Sequence, residues 1–561
     1  MLLQLLYLGR SNIARSADGL AVSLAPNLRR DRVSYVGLLE QPLRFREAIS
    51  ALHDVVISDL RFKAKDHTAY REYLAEQKKR EAQIYHAAVT ATRRELKKEQ
   101  PAMPPGLEQR FQQLRRVYWD ARQKYSNYLL KHDPELWRLL MPCDPVITVA
   151  NDILFFECFS ADESSYGCLS VDRNAFHKEE DVALGTTNVD YSWALYEHFQ
   201  KLRSYRQTRF QIDPAGFEVK TVEAEANYRE EKIDLPPSWL RGFMQLQSAM
   251  SLPMRRVPFE REGLYSILAW LKRHRARKSP RAIRFELDPG QPVQVVLEPW
   301  EKRIVVHGTK YPGPRAESLR VWGRDRLFVL ARLLPLMDSL DVYLLGTGLP
   351  SFWVVRMGEM RLTLGLSGWT VNDWTGASAL DQLMPPAEPS KEVLGDIAAT
   401  FKQETAQTFE QIRQKTGAAA PFVAAGLNRL ALLGQVIHDL PAGLFRWRQV
   451  MPVALSMEQI GPENPETVGA RQLAGKVKVT QNELMPSGLR VLGGVVADQQ
   501  VELLINGDGL MMRGKCPCSH HRKGGLRRGP CRHLQALRSS VLAGQKQPNL
   551  ERWYEKLWVT S

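Results

Sequence analysis

GLRVLGGVVADQQVELLINGDGLMMRGKCPCSHHRKGGLRRGPCRHLQALRSS, residues 488–540, carries the clearest signal in this chain. GLRVLGGVVA, QQVELLIN and GLMMRG alternate well enough for three short strands, with turns at ADQ and NGDG. Then come Cys516-x-Cys518, a gap of twelve residues, Cys531-x-His533 and the helix-forming RHLQALRSS. A structural zinc ion takes four ligands in a tetrahedron and prefers thiolate and imidazole. A C-x-C pair leaving a strand can grip the ion from one side, and a C-x-H pair entering a helix can close the other. Neighbouring Lys and Arg help to keep the thiols ionised. With Cys516, Cys518, Cys531 and His533 all bound, no position stays open for an activated water, so the expected Zn2+ (one ion) is structural and not catalytic. His520 and His521 compete with His533 for the fourth place; His533 is favoured because it closes the pair that Cys531 opens at the start of the following helix. Iron–sulfur ligation wants a fourth cysteine nearby, and there is none.

The same segment is cationic. From Gly509 to Asn549 there is no Asp or Glu, while Arg513, Lys515, Arg522, Lys523, Arg527, Arg528 and Arg532 crowd the finger, with Arg538 and Lys546 behind them. Such a loop matches phosphate, and each contact would make binding more sensitive to salt. Glycines at 524, 525 and 529 would let the backbone come close to a ligand. Three thiolates do not need nine cations to balance them, so an acidic partner, DNA above all, is the expectation. Phosphate contacts alone would give affinity without sequence choice.

Cys516-x-Cys518…Cys531-x-His533, placed after a β-hairpin and before a short helix, resembles the SWIM zinc finger. Members of that family are thought to bind DNA or proteins. Further upstream, VWGRDRL, LLGTGLPSFW and LGLSGWTVNDW are similar to the large bacterial SWIM-finger proteins, which tend to be encoded beside a MoxR-type AAA+ ATPase and a von Willebrand A-domain protein. That resemblance implies an accessory or adaptor role in an ATP-driven system, with the ATPase on a separate chain. Partners would be nucleic acid or those two proteins.

The rest of the 561 residues exceeds one core, at about 100–200 residues per domain. We expect an α+β multidomain chain. Residues 1–145 contain a long helical hairpin, Arg46–Gln100 and Leu107–Leu130, turned by PAMPPG at 101–106. Residues 146–280 form an α+β unit in which ILFFECFS and YGCLSV pair across ADESS. Cys158 and Cys168 in that hairpin read as core thiols. Residues 281–385 form a second α+β unit, with strands in AIRFEL, VQVVLE, RIVVHG, VYLLG, FWVVRMG and MRLTLGLSGW and a helix in RDRLFVLARLLPLM. After the linker MPPAEPSK, residues 390–455 form a helical, winged-helix-like module whose wing would carry Arg446 and Arg448; an all-helical packing unit fits the same text. Residues 476–545 hold the finger.

The net charge is +15, which suits nucleic acid, an anionic surface or an acidic protein, although a plain basic surface is the simpler reading. Lys272, Arg273, Arg275, Arg277 and Lys278 follow a helix and could meet phosphate or merely complement its C-terminus. There is no phosphate loop, HExxH helix, nucleophile elbow or carboxylate pair at helical spacing, so no enzyme is expected. Three of six cysteines crowd into sixteen residues, unlike a secreted disulfide framework. No signal peptide or membrane span is read, and the expected location is the cytoplasm.

Overall fold

The computed structural model describes most of residues 3–57, 145–368 and 389–543, with Arg110 and Trp374. Residues 58–109, 111–144, 213–228, 375–388, 450–464 and 544–561, with shorter interruptions, are outside the described set. The expected helical hairpin falls there except for its first turns. Those turns belong to the helix Pro42–Ile57, which is buried through Phe45, Ile49, Leu52 and Val56.

An eight-stranded antiparallel sheet forms the centre. Its order is Arg255–Phe259, Ser339–Leu344, Ser351–Met357, Met360–Leu366, Ser165–Asp172, Ile153–Phe159, Val146–Val149 and Gly185–Asn188. Strands from both sides of residue 280 share this sheet, so no break in it follows the boundary expected there. Alternate residues of Ile153–Phe159 point to opposite layers. Phe156 packs edge-on against Phe45 at 6.0 Å, and the Cys158 thiol faces the Leu52 carbonyl. Phe159 meets Phe243 of the helix Pro237–Met250 on the other side. Cover on both faces is why ILFFECFS is an almost unbroken apolar run. The helix Pro42–Ile57 lies so close that a Cβ on Gly167 would stand 2.7 Å from Leu52 Cδ1.

A second antiparallel sheet, in the order Lys302–Lys310, Pro292–Leu297, Ile283–Leu287 and Glu317–Val321, buries Ile283, Phe285 and Leu287 and joins the same core through Phe285 and Trp353. The segment read as a helix in RDRLFVLARLLPLM is a 3-10 helix, Arg324–Leu336. Leu327, Leu330 and Leu333 are buried at every third position, the period of that tighter winding.

Residues 391–447 run helix Lys391–Thr400, strand Ala406–Gln407, helices Phe409–Thr416 and Ala420–Leu432, then strands Val436–Asp439 and Leu444–Trp447. A Thr408–Gln411 capping box opens the second helix and left-handed Gly417 closes it. The third helix is buried on most sides and packs against Pro237–Met250, as an apolar helix must. Arg446 and Arg448, expected in an exposed wing, are instead inside. Arg446 pairs with Asp152 at 2.7 Å and Asp439 at 2.8 Å, and Arg448 pairs with Glu157 at 3.1 Å, both of the latter fully buried. Glu157 on the central sheet and Asp152 in the bend before its strand claim these arginines and fasten the module to that sheet.

Candidate metal centre

The finger is a four-stranded antiparallel sheet, Val477–Leu484, Arg490–Val496, Gln499–Ile505 and Met511–Lys515, with the helix Arg532–Ala543 packed on it. The first strand was not read from sequence: it is largely exposed on both faces, and its apolar alternation stops after Val477 and Val479. Met511–Lys515 delivers Cys516 directly. Cys518 then caps the short helix Ser519–Gly524, its sulfur accepting the His521 backbone N–H at 3.4 Å. Cys531 immediately precedes Arg532–Ala543, which sets His533 in that helix's first turn.

The four expected side chains converge. One ligand atom from each of Cys516, Cys518, Cys531 and His533 lies within 4.8 Å of all the others. Cys516 Sγ is 3.7 Å from His533 Nδ1. A tetrahedron with metal–sulfur bonds of about 2.3 Å and metal–nitrogen bonds of about 2.0–2.1 Å has a sulfur–nitrogen edge of roughly 3.6 Å, so the donor set and spacing fit one metal ion. Cys516 and Cys531 are buried, and Cys518 and His533 are half-buried. Sulfurs this close contest one another's protons. Hydrogen bonds from the other thiols hold Cys518 well below the ordinary thiol range, while the same contacts push Cys531 up. The neighbouring thiols of Cys516 and Cys518 raise His533 to about 9. A divalent cation would replace this competition by accepting all four lone pairs.

Glu466 braces the site from the helix Pro465–Gln472. Its carboxylate accepts the Arg532 backbone N–H at 2.7 Å and the Arg532 guanidinium at 2.8 Å, capping the finger helix. Burial alone would raise the Glu466 carboxyl, but the Arg532 contacts outweigh it and hold it below the usual range. Sequence reading missed this acid, which is 66 residues from its partner. His520 turns to the Gly529 carbonyl at 3.4 Å, and neither it nor His521 belongs to the four-residue cluster.

The cations expected to contact nucleic acid divide. Arg513, Lys515, Arg522 and Lys523 are exposed, with Lys515 3.5 Å from Glu502. Arg532 is committed to Glu466. Arg538, counted with the basic surface, is 4% exposed, and burial pulls its guanidinium down to about 10. The side chains of Arg527 and Arg528, and Lys546, lie outside the described residues.

No family model matches the chain, and no curated protein does. Among solved structures it is similar to Proliferating Cellular Nuclear Antigen from Entamoeba histolytica, at 11% identity and TM-score 0.28 over 40% of this chain and 89% of that one. It is also similar to A. fulgidus PCNA bound by the C-terminal region of FEN-1, at 15% identity and TM-score 0.28 over 40% and 89%. PCNA from Thermococcus kodakaraensis gives 12% identity and TM-score 0.26 over 40% and 90%. Scores this low carry no argument about the present chain.

Away from the finger, a cavity of about 30 Å³ between the central sheet and the 391–447 module is lined by Tyr166, Cys168, His438, Asp439 and Arg446, with room for about two waters. Burial pushes the Cys168 thiol up to about 12 and His438 below its ordinary value, so this cysteine is no activated nucleophile. Cys158 and Cys168 are buried core thiols, and among the described residues neither forms a disulfide. Among the described residues, no helix is long and apolar enough to cross a membrane.

Proposed function

We propose that this chain is a non-enzymatic zinc-binding adaptor whose SWIM-type finger engages nucleic acid, DNA in the first place, in partnership with a separate AAA+ ATPase. The observation that carries the reading is a Cys3His cluster ringed by exposed Arg513, Lys515, Arg522 and Lys523. Three thiolates and one imidazole in a closed set favour zinc in a structural role. The C-x-C…C-x-H order after a hairpin and before a helix supports the SWIM reading. The upstream likeness to bacterial SWIM-finger proteins supports a MoxR-type ATPase and a von Willebrand A-domain protein as partners. Free thiols suit a reducing cytoplasm.

The winged-helix-like order of residues 391–447 supports a packing role within this chain and not DNA reading. Its third helix lies against Pro237–Met250, and Arg446 and Arg448 are buried.

Binding of a labelled 30-base-pair duplex, followed by anisotropy, tests the reading. Four phosphate contacts give a log–log salt slope near −3.6, so affinity should fall about a hundredfold from 50 to 200 mM salt. Absent or salt-independent binding overturns it. A second reading, a protein scaffold for the ATPase without nucleic acid, is favoured by Val479, Leu484 and Met485, which stand exposed along the finger's edge strand and the turn after it. Co-purification with the ATPase and no duplex shift would select that reading.

A further inference from the structure

The basic segment after Trp270 meets two other elements in space. The helix Arg261–Arg273 ends in Trp270, Lys272 and Arg273, and the turn between Pro292–Leu297 and Lys302–Lys310 lays Trp300 beside them. Trp270 and His274 stack with centroids 3.8 Å apart and 15° between their planes. Trp300 stands edge-on to Trp270 at 6.4 Å and to His274 at 6.2 Å. All three residues are half-buried, with exposed Lys272, Arg273 and Lys302 beside them, so together they make an aromatic ledge that reaches the surface.

Cations border this ledge from three elements. Lys272 and Arg273 are exposed at the helix end, where the helix dipole alone would account for them. That account does not extend to Lys302, on a strand, whose Nζ is 5.3 Å from the centre of the Trp270 ring. Nor does it extend to Arg324, on the 3-10 helix, whose guanidinium lies 4.8 Å from the centre of the Trp300 ring. Arg324 is 5% exposed and donates to the Glu298 carbonyl oxygen, yet among the described residues it forms no ion pair. Burial lowers its pKa, and the nearby Arg281 adds to that effect against Asp325 and Glu298. The carboxylates of the Trp300 turn, Glu298 and Glu301, are already paired with Arg284. The Trp270 indole N–H is buried and has no acceptor among the described residues.

We propose that this ledge binds an unpaired nucleotide of a single-stranded nucleic acid. A base stacks on the Trp270, His274 and Trp300 cluster by displacing the exposed Lys302 side chain, and the flanking phosphates meet Lys272, Arg273 and the displaced Lys302. Every base offers a π-face, so the site is tolerant of sequence, and the surrounding cations select a polyanion. An acidic peptide would satisfy the cations but leave the stacking surface unused. The site is separate from the finger and does not depend on the finger's binding duplex.

The test uses the full chain with its metal, a fluorescein-labelled dT20 strand and the 30-base-pair duplex. The exposed-residue double variant Lys272→Glu/Arg273→Glu should raise the Kd for dT20 at least tenfold, with duplex affinity unchanged within twofold. Trp300→Ala should raise it severalfold and reduce the tryptophan quenching that dT20 causes; a melting curve reports whether this variant is folded, and Lys302→Glu replaces it if not. The reciprocal pair Lys515→Glu/Lys523→Glu should weaken duplex more than dT20. Failure of wild type to bind dT20, or equal binding by wild type and the Lys272/Arg273 variant, overturns the proposal. So does capture of a poly-glutamate peptide in preference to dT20. Failure of the wild type to bind the duplex, with its dT20 binding intact, would sink the finger's role and leave this site standing.

Discussion

Arg446 and Arg448 in one segment, and Arg513, Lys515, Arg522 and Lys523 in another, look alike as text: each group follows a short β-strand pattern and each could face phosphate. The structure sends them to opposite fates. Arg448 and its partner Glu157 are both fully buried, and Arg446 lies between Asp152 and Asp439. Arg513, Lys515, Arg522 and Lys523 of the finger are exposed: no acid occurs between Gly509 and Asn549, and the acids that approach from elsewhere include Glu466, at Arg532 and His520, and Glu502, at Lys515. A basic run in sequence says nothing of its destination; an acid on a distant, buried element decides it.

The comparison can be strained at several points. The largest effect is expected in the finger itself. Cys531→Ser should release the ion and unfold the local structure, because structural zinc contributes on the order of 10 kcal/mol to comparable folds. Metal analysis and amide exchange over residues 477–543 would read this, with the central sheet unchanged. Arg448→Ala should destabilise the body by about 3–5 kcal/mol in chemical denaturation, because it strands Glu157 as an unpaired buried charge. The double change Glu157→Leu/Arg448→Met should recover most of that loss, which separates the value of the pair from the cost of breaking it.

A smaller effect follows pH. His438 is buried, its Nδ1 2.8 Å from the Met250 carbonyl oxygen, and burial outweighs that hydrogen bond and the nearby Asp439 to hold its pKa below 6.5. The unfolded chain therefore binds the extra proton first. The stability tied to neutral His438 is complete above about pH 6.5 and is lost as pH falls toward the folded value. Melting temperature should drop between pH 7.5 and 5.5, and His438→Gln should flatten that slope. The smallest effect on stability belongs to Lys523→Glu, within about 0.5 kcal/mol, although it should reduce the salt slope of duplex binding by about one.

The sequence made the central strands legible where alternation was local. In the second sheet, the strand read in AIRFEL is there and buries Ile283, Phe285 and Leu287 alternately, and strands also stand where three were read before Cys516. It also brought the four candidate ligands together, since C-x-C and C-x-H each fix two donors within three residues. What escaped was set by distant partners. Met360–Leu366 pairs with Ser165–Asp172 nearly two hundred residues earlier, and local pattern does not encode that choice. The Leu327, Leu330 and Leu333 spacing contained the 3-10 period, but the apolar run around it resembles an α-helix. Glu466 stayed invisible because capping a helix 66 residues away leaves no local signature.

X-ray absorption at the zinc edge on the purified full chain tests the central claim most directly. The account predicts one zinc per chain, with three sulfur neighbours at about 2.3 Å and one nitrogen at about 2.0–2.1 Å. A first shell of oxygen, or protein that retains no zinc after dialysis, would contradict it.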